Sequence, residues 1–166
     1  MIFKKTVQII WLLVTLQLIV GCEHKQSSQA IEQEKLMAQI RVGSFIRVAD
    51  LLGDSMGTIC LLYPYQNFVV DDIADRNLIN TFLKSIDYQA SESYWSLIII
   101  KNKLVNISKF RRSEKLDVIN MRDIQKIPIN NLSNQFKPMD CVSISDAAIG
   151  KIEFENRIFL MLGKLK

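Results

Sequence analysis

The clearest pattern of apolar and polar positions lies between Tyr94 and Phe110. Tyr94 to Lys101 is an almost unbroken apolar run rich in isoleucine, Leu104 to Phe110 alternates, and Lys101-Asn102-Lys103 sits between them. Asn tolerates a left-handed turn conformation, so this pattern predicts a β-hairpin. A second hairpin is predicted from Ile149 to Phe154 and from Arg157 to Leu162, with Glu155-Asn156 as its turn. Thr58 to Tyr63 is a short apolar run closed by Pro64, which suits a buried strand, and Cys141 to Ser145 supplies another.

Helical spacing appears around these strands. Ala30 to Ile40 is rich in helix formers, and Phe45, Val48, Ala49 and Leu52 recur at helical intervals before Gly53, a natural stop. From Asp71-Asp72 to about Ile86, residues Leu78, Ile79, Phe82, Leu83 and Ile86 share one helical face. Asp123 to Pro138 holds two of the three prolines and no sustained period, so it reads as irregular connection. The expected fold class is α+β: one domain over 30–166 with an antiparallel sheet of about five strands and one to three helices.

The first twenty residues obey different rules. Lys4 and Lys5 precede an apolar run from about Thr6 to Val20, the layout of a secretory signal. The run is short of the ~20 apolar residues of a stable membrane span and contains Gln8 and Gln17. It ends in Ile19-Val20-Gly21-Cys22, which resembles the lipobox of bacterial lipoproteins. That resemblance implies cleavage between Gly21 and Cys22, acylation of the Cys22 thiol and anchorage to membrane lipid. Residues 1–21 would be the signal peptide and 22–29, polar from Glu23 onward, a tether. Glu23 rather than Asp in the second mature position implies an outer-membrane location facing the periplasm.

Composition then narrows the function. Lys and Arg number 21 against 17 Asp and Glu, and without Lys4 and Lys5 the balance is 19 to 17. So small a surplus gives no concentrated basic face and no reason to invoke nucleic acid. Of three cysteines, Cys22 is assigned to lipid, leaving Cys60 and Cys141 as an even pair. In an oxidising periplasm they are expected to form a disulfide closing a loop of about 80 residues, worth roughly 4–5 kcal/mol in the chain-entropy model. Two buried free thiols are the alternative.

The only histidine, His24, lies in the tether, so no imidazole is available beside a serine or cysteine nucleophile or a metal. Asp71, Asp72 and Asp75 read as D-D-x-x-D, a magnesium pattern in prenyl-diphosphate enzymes, but their placement before a helix suits capping instead. Ser143-Ile144-Ser145-Asp146 has no base partner, and no glycine-rich phosphate loop is present. No cofactor, metal or catalytic residue is expected, and the chain is not read as an enzyme.

Two features suit a protein partner. Lys109, Arg111, Arg112 and Lys115 gather at the end of the first hairpin, and Tyr63-Pro64-Tyr65, with Tyr88, Tyr94 and Trp95, could form an aromatic surface. Tyr63, Tyr65, Arg111 and Arg112 are the candidate partner-binding residues. Solvated strand ends and core filling are the plainer uses of the same residues. Cys60 to Tyr65, with the pattern C-x-x-x-P-Y, resembles a strand end in small proteobacterial lipoproteins, some regarded as immunity proteins against secreted toxins. That resemblance implies a periplasmic binding protein for a toxin or envelope protein. A structural or assembly accessory of the cell envelope is the alternative.

Overall fold

The computed structural model describes Ile31, Leu36 and residues 38–124 and 136–165. The expected signal segment, Cys22, the tether and His24 lie outside these residues. The chain is mixed α and β and mostly sheet, with nine strands in two sheets.

The four-stranded sheet runs in the order β4 (Leu104–Arg111), β3 (Tyr94–Lys101), β2 (Thr58–Leu62), β7 (Cys141–Ser143), all antiparallel. The five-stranded sheet runs β1 (Ser44–Arg47), β8 (Ala147–Phe154), β9 (Arg157–Leu165), β5 (Asp117–Val118), with β6 (Phe136–Pro138) also on β9. Its β5–β9 pairing is parallel, with Asp117 opposite Phe159 and Val118 opposite Leu160. Both predicted hairpins form. Asn102 and Lys103 (φ 49° and 64°), like Glu155 and Asn156 (φ 50° and 61°), are left-handed, as two-residue turns that follow the strand twist require.

The two sheets face each other across the main core. Ile59, Leu61, Trp95, Leu97 and Ile99 meet Ile149, Leu160 and Leu162 there. Trp95 stacks on Phe110, its cross-strand neighbour, with ring centroids 4.3 Å apart. The opposite face of the four-stranded sheet, carrying Cys60, Leu62, Ile98, Ile100 and Cys141, is covered by Ile79 and Leu83 of helix α2 (Arg76–Ser85). The outer face of the five-stranded sheet buries Ala148, Ile152 and Met161 under Ile119, Ile124 and Phe136. A single expected sheet of about five strands is therefore two sheets of four and five. β3 is buried on both faces, and a strand so placed shows no alternation by which a second layer is read.

Cys60 and Cys141 are paired residues of β2 and β7, their Cα atoms 4.1 Å apart, and they form a disulfide. Other expectations change. Phe45 belongs to β1, paired with Gly150, and only Val48–Leu52 (α1) is helical, ended by left-handed Gly53. Helical spacing over so few residues did not separate helix from strand. Leu36, Ala38 and Gln39 of the expected first helix are helical, whereas Ile40 is not. Helix α2 starts later than expected. Its N-cap is Asp75, whose carboxylate accepts from the Thr58 hydroxyl at 2.8 Å and makes no cap hydrogen bond, so capping by these aspartates is corrected. Ser145 lies in a turn beyond β7. The expected irregular stretch contains β6 and the end of the single-turn helix α3 (Met121–Ile124), and residues 125–135 lie outside the description. Among the described residues no helix is long and apolar enough to cross a membrane.

Candidate binding site

The site begins with one buried charge. Asp117 is 0% exposed, in an apolar run from Leu116 to Ile119. An isolated carboxylate there would cost far more than folding returns, so it must be paired. Arg112 reaches it with two hydrogen bonds, Nε to Oδ1 at 2.7 Å and Nη2 to Oδ2 at 2.9 Å. Arg157 adds Nη2 to Oδ2 at 2.7 Å, and the Val118 N–H donates to Oδ1 at 2.8 Å.

Strand pairing delivers these groups. The Ile158 N–H donates to the Glu114 carbonyl, which with the β5–β9 register sets the start of β9 beside Asp117. Arg112 follows β4. Its N–H donates to the Ser93 carbonyl and its Nη1 to the Glu92 carbonyl. The Asp117 hydrogen bonds raise the Arg112 pKa above its ordinary value, so this guanidinium holds its proton more firmly still.

Above the pair opens a cleft of about 500 Å³. One wall is the segment after β2. The Gln66 N–H donates to the Tyr63 carbonyl, and the Gln66 amide oxygen accepts from the Tyr63 N–H, closing a tight turn. Tyr65 is held left-handed in that turn at φ 65° and is 67% exposed. A non-glycine residue pays about 1–2 kcal/mol for this conformation, and such outliers gather at functional sites. The Tyr65 hydroxyl pKa is raised by hydrogen bonding to the Glu92 side chain. The Tyr63 hydroxyl donates to Asp140 Oδ1 at 2.7 Å, and burial followed by that carboxylate pushes its pKa far above the usual range. Phe154 and Phe159 stand on the hairpin side, with the Arg157 guanidinium 5.6 Å from the Phe159 ring centroid. Asn120 and Asp123 complete the rim.

Three of the four candidate partner-binding residues, Tyr63, Tyr65 and Arg112, thus line one cleft. Arg111 does not. It is exposed at the end of β4, opposite Tyr94. The basic cluster is divided: Lys109 lies over the rings of Tyr88 and Tyr94 at 5.5 and 5.0 Å, and Lys115 is exposed in the turn before Leu116. Trp95 is core. Asp117, Arg157 and Phe159 were missed by sequence reasoning, although a lone acid inside an apolar run was a signal that a cation must lie near. Among the described residues no three His, Cys, Asp or Glu side chains are arranged to hold a metal ion. Comparison with protein families, with curated proteins and with solved structures found no match to this chain.

Proposed function

We propose that this chain is a lipid-anchored binding protein that faces the periplasm and holds a protein partner in the Tyr65–Arg157 cleft. The carrying observation is the convergence of Tyr63, Tyr65 and Arg112 on one cavity beside the fully buried, ion-paired carboxylate of Asp117. A rigid floor and an exposed aromatic rim suit recognition, because tyrosine and arginine give much contact area and geometry for little lost freedom. Ile19 to Cys22 supplies the anchor through its resemblance to a lipobox, and a Cys60–Cys141 disulfide suits an oxidising compartment. A non-catalytic role fits a chain whose single imidazole is His24, next to the anchor. Within this reading, a secreted toxin is the favoured partner and immunity the favoured role, with the outer membrane as the location.

Photocrosslinking in cells tests the binding role. A photoreactive residue at position 65 is expected to give one discrete adduct with an envelope or imported protein. The same residue at position 104, the exposed first position of β4, gives none. Adducts of equal yield from both positions, or none from position 65, reject the cleft as the binding surface. Cys22→Ser is expected to abolish acyl labelling and release the protein from membranes; retention without label rejects the anchor. Protection of cells against the product of an adjacent toxin gene tests the immunity role.

A further inference from the structure

We propose that the cleft receives a single carboxylate from its protein partner, an aspartate or glutamate side chain flanked by neutral or basic residues, and that Arg157 grips it. This rests on the reading of the chain as a binding protein and adds the chemistry of the segment bound.

The argument starts from spent and unspent donors. Arg112 is engaged at all three nitrogens, two of them with Asp117 and the third with the Glu92 carbonyl. Arg157 meets Asp117 through Nη2 alone, is 42% exposed along its side chain, and its Nε is buried without an acceptor. A guanidinium carries five N–H donors in a planar fork, and a single contact leaves most of them available to a carboxylate. Charge points the same way at the floor. Two guanidinium cations share the one buried carboxylate there, and the Glu92 carboxylate also acts on Arg112, which leaves Arg157 as the cation with donors to spare.

The mouth sets the flanks. Glu155 and Asp123 line it, and the Glu92 carboxylate already accepts from Tyr65. These acids repel a run of negative charge but tolerate one acid reaching past them, and they favour lysine or arginine beside it. Tyr65, Phe154 and Phe159 offer rings to apolar or cationic neighbours of that acid.

The test uses the full chain in detergent micelles and three blocked peptides as probes: Lys-Phe-Glu-Phe-Lys, the same with central Gln, and Glu-Phe-Glu-Phe-Glu. Titrations are followed in ¹H–¹⁵N spectra, which read millimolar affinities, at the Arg157 Nε–H signal and at the backbone amides of Tyr65 and Phe159, the amides serving also for the variant that lacks the guanidinium. The first peptide is expected to shift these signals and to bind at least tenfold more tightly than the other two. Arg157→Gln is expected to erase the preference for Glu over Gln. Glu155→Gln, in an exposed turn, is expected to narrow the gap between the singly and triply acidic peptides and serves as a folded control. Equal binding of the Glu and Gln peptides, or no binding by either, overturns the inference. A position-65 crosslink obtained alongside such a failure leaves the binding role standing and removes only the acidic occupant.

Discussion

Arg157 donates to Asp117 across forty residues of chain, from the first position of the last strand to a strand of two residues. A fully buried carboxylate held by two half-exposed guanidinium groups ties β4, β5 and β9 together at the floor of the cleft. Removing the acid leaves two cations with nothing between them. Asp117→Ala is expected to cost about 3 kcal/mol, toward the lower end for broken buried pairs because the arginines can turn to water. Arg112→Met should cost less and Arg157→Gln least, since Arg112 makes two contacts and Arg157 one. Urea unfolding midpoints of the three variants check this order, and equal losses would show that the pair is not held as described.

The Cys60–Cys141 disulfide closes a loop with a sequence separation of 81. The chain-entropy model gives such a loop about 4.5 kcal/mol, by restricting the unfolded chain more than by improving the folded one. Both sulfurs lie under α2, where the freed side chains still pack as small apolar groups. The double substitution Cys60→Ala and Cys141→Ala is therefore expected to fold with the same far-ultraviolet dichroism and a markedly lower urea midpoint. Reductant should lower the wild-type midpoint toward that of the variant and leave the variant unmoved.

Both hairpins were legible because local chemistry dictates them: apolar runs flank two residues that accept positive φ, and no distant contact is needed. The disulfide was legible from the even count left once Cys22 is set aside for lipid, together with the oxidising compartment expected from the amino-terminal segment. β1 was not, because Phe45 falls at helical spacing from Val48, Ala49 and Leu52 and joins a strand only when β8 lies alongside. β5 was not, because two residues carry no period and their pairing with Phe159 and Leu160 spans some forty residues. The site divides in the same way. Tyr63, Tyr65 and Arg112 stood out as residue types, whereas Arg157 gained its role only through the register that sets it beside Asp117.

The β3–β4 turn offers a gain in stability. Lys103 sits at φ 64°, where a side chain crowds the backbone and glycine does not. Lys103→Gly creates an Asn-Gly turn, the favoured pair for this geometry. Relief of about 1 kcal/mol, less the extra freedom glycine gives the unfolded chain, leaves an expected gain of roughly 0.5 kcal/mol. A rise in Tm of a few degrees checks it, and a fall would mean that Lys103 makes a contact worth more than its conformational cost.

Gly163 is the reverse case. It stands in β9 opposite Pro138, and a Cβ there would overlap the Lys137 carbonyl and the Phe136 ring. A carbonyl in a paired strand cannot step aside as a flexible side chain does. Gly163→Ala is expected to cost about 1–3 kcal/mol and to separate β6 from β9. Hydrogen exchange should quicken at Met139, whose N–H donates to Leu162, while β3 stays protected.

Asp71 gives the pH dependence its sign. Burial raises its pKa above 3.8, and the nearby Asp140 charge adds to this, against a lowering hydrogen bond from the Cys141 N–H. A carboxyl whose folded pKa exceeds its unfolded value binds its proton more tightly when folded. Its contribution to stability is therefore fully present below about pH 3.8 and is lost as pH rises through the folded value. At neutral pH Asp71 is a charge the fold would be better without. Asp71→Asn keeps an acceptor for the Cys141 N–H and removes the repulsion. The group remains partly solvated, so the expected gain at pH 7 is only about 0.5 kcal/mol. That gain should vanish near pH 3, where the aspartate is protonated anyway. Urea midpoints of wild type and variant at the two pH values read the difference directly, and a gain that persisted unchanged in acid would place the effect in packing and not in charge.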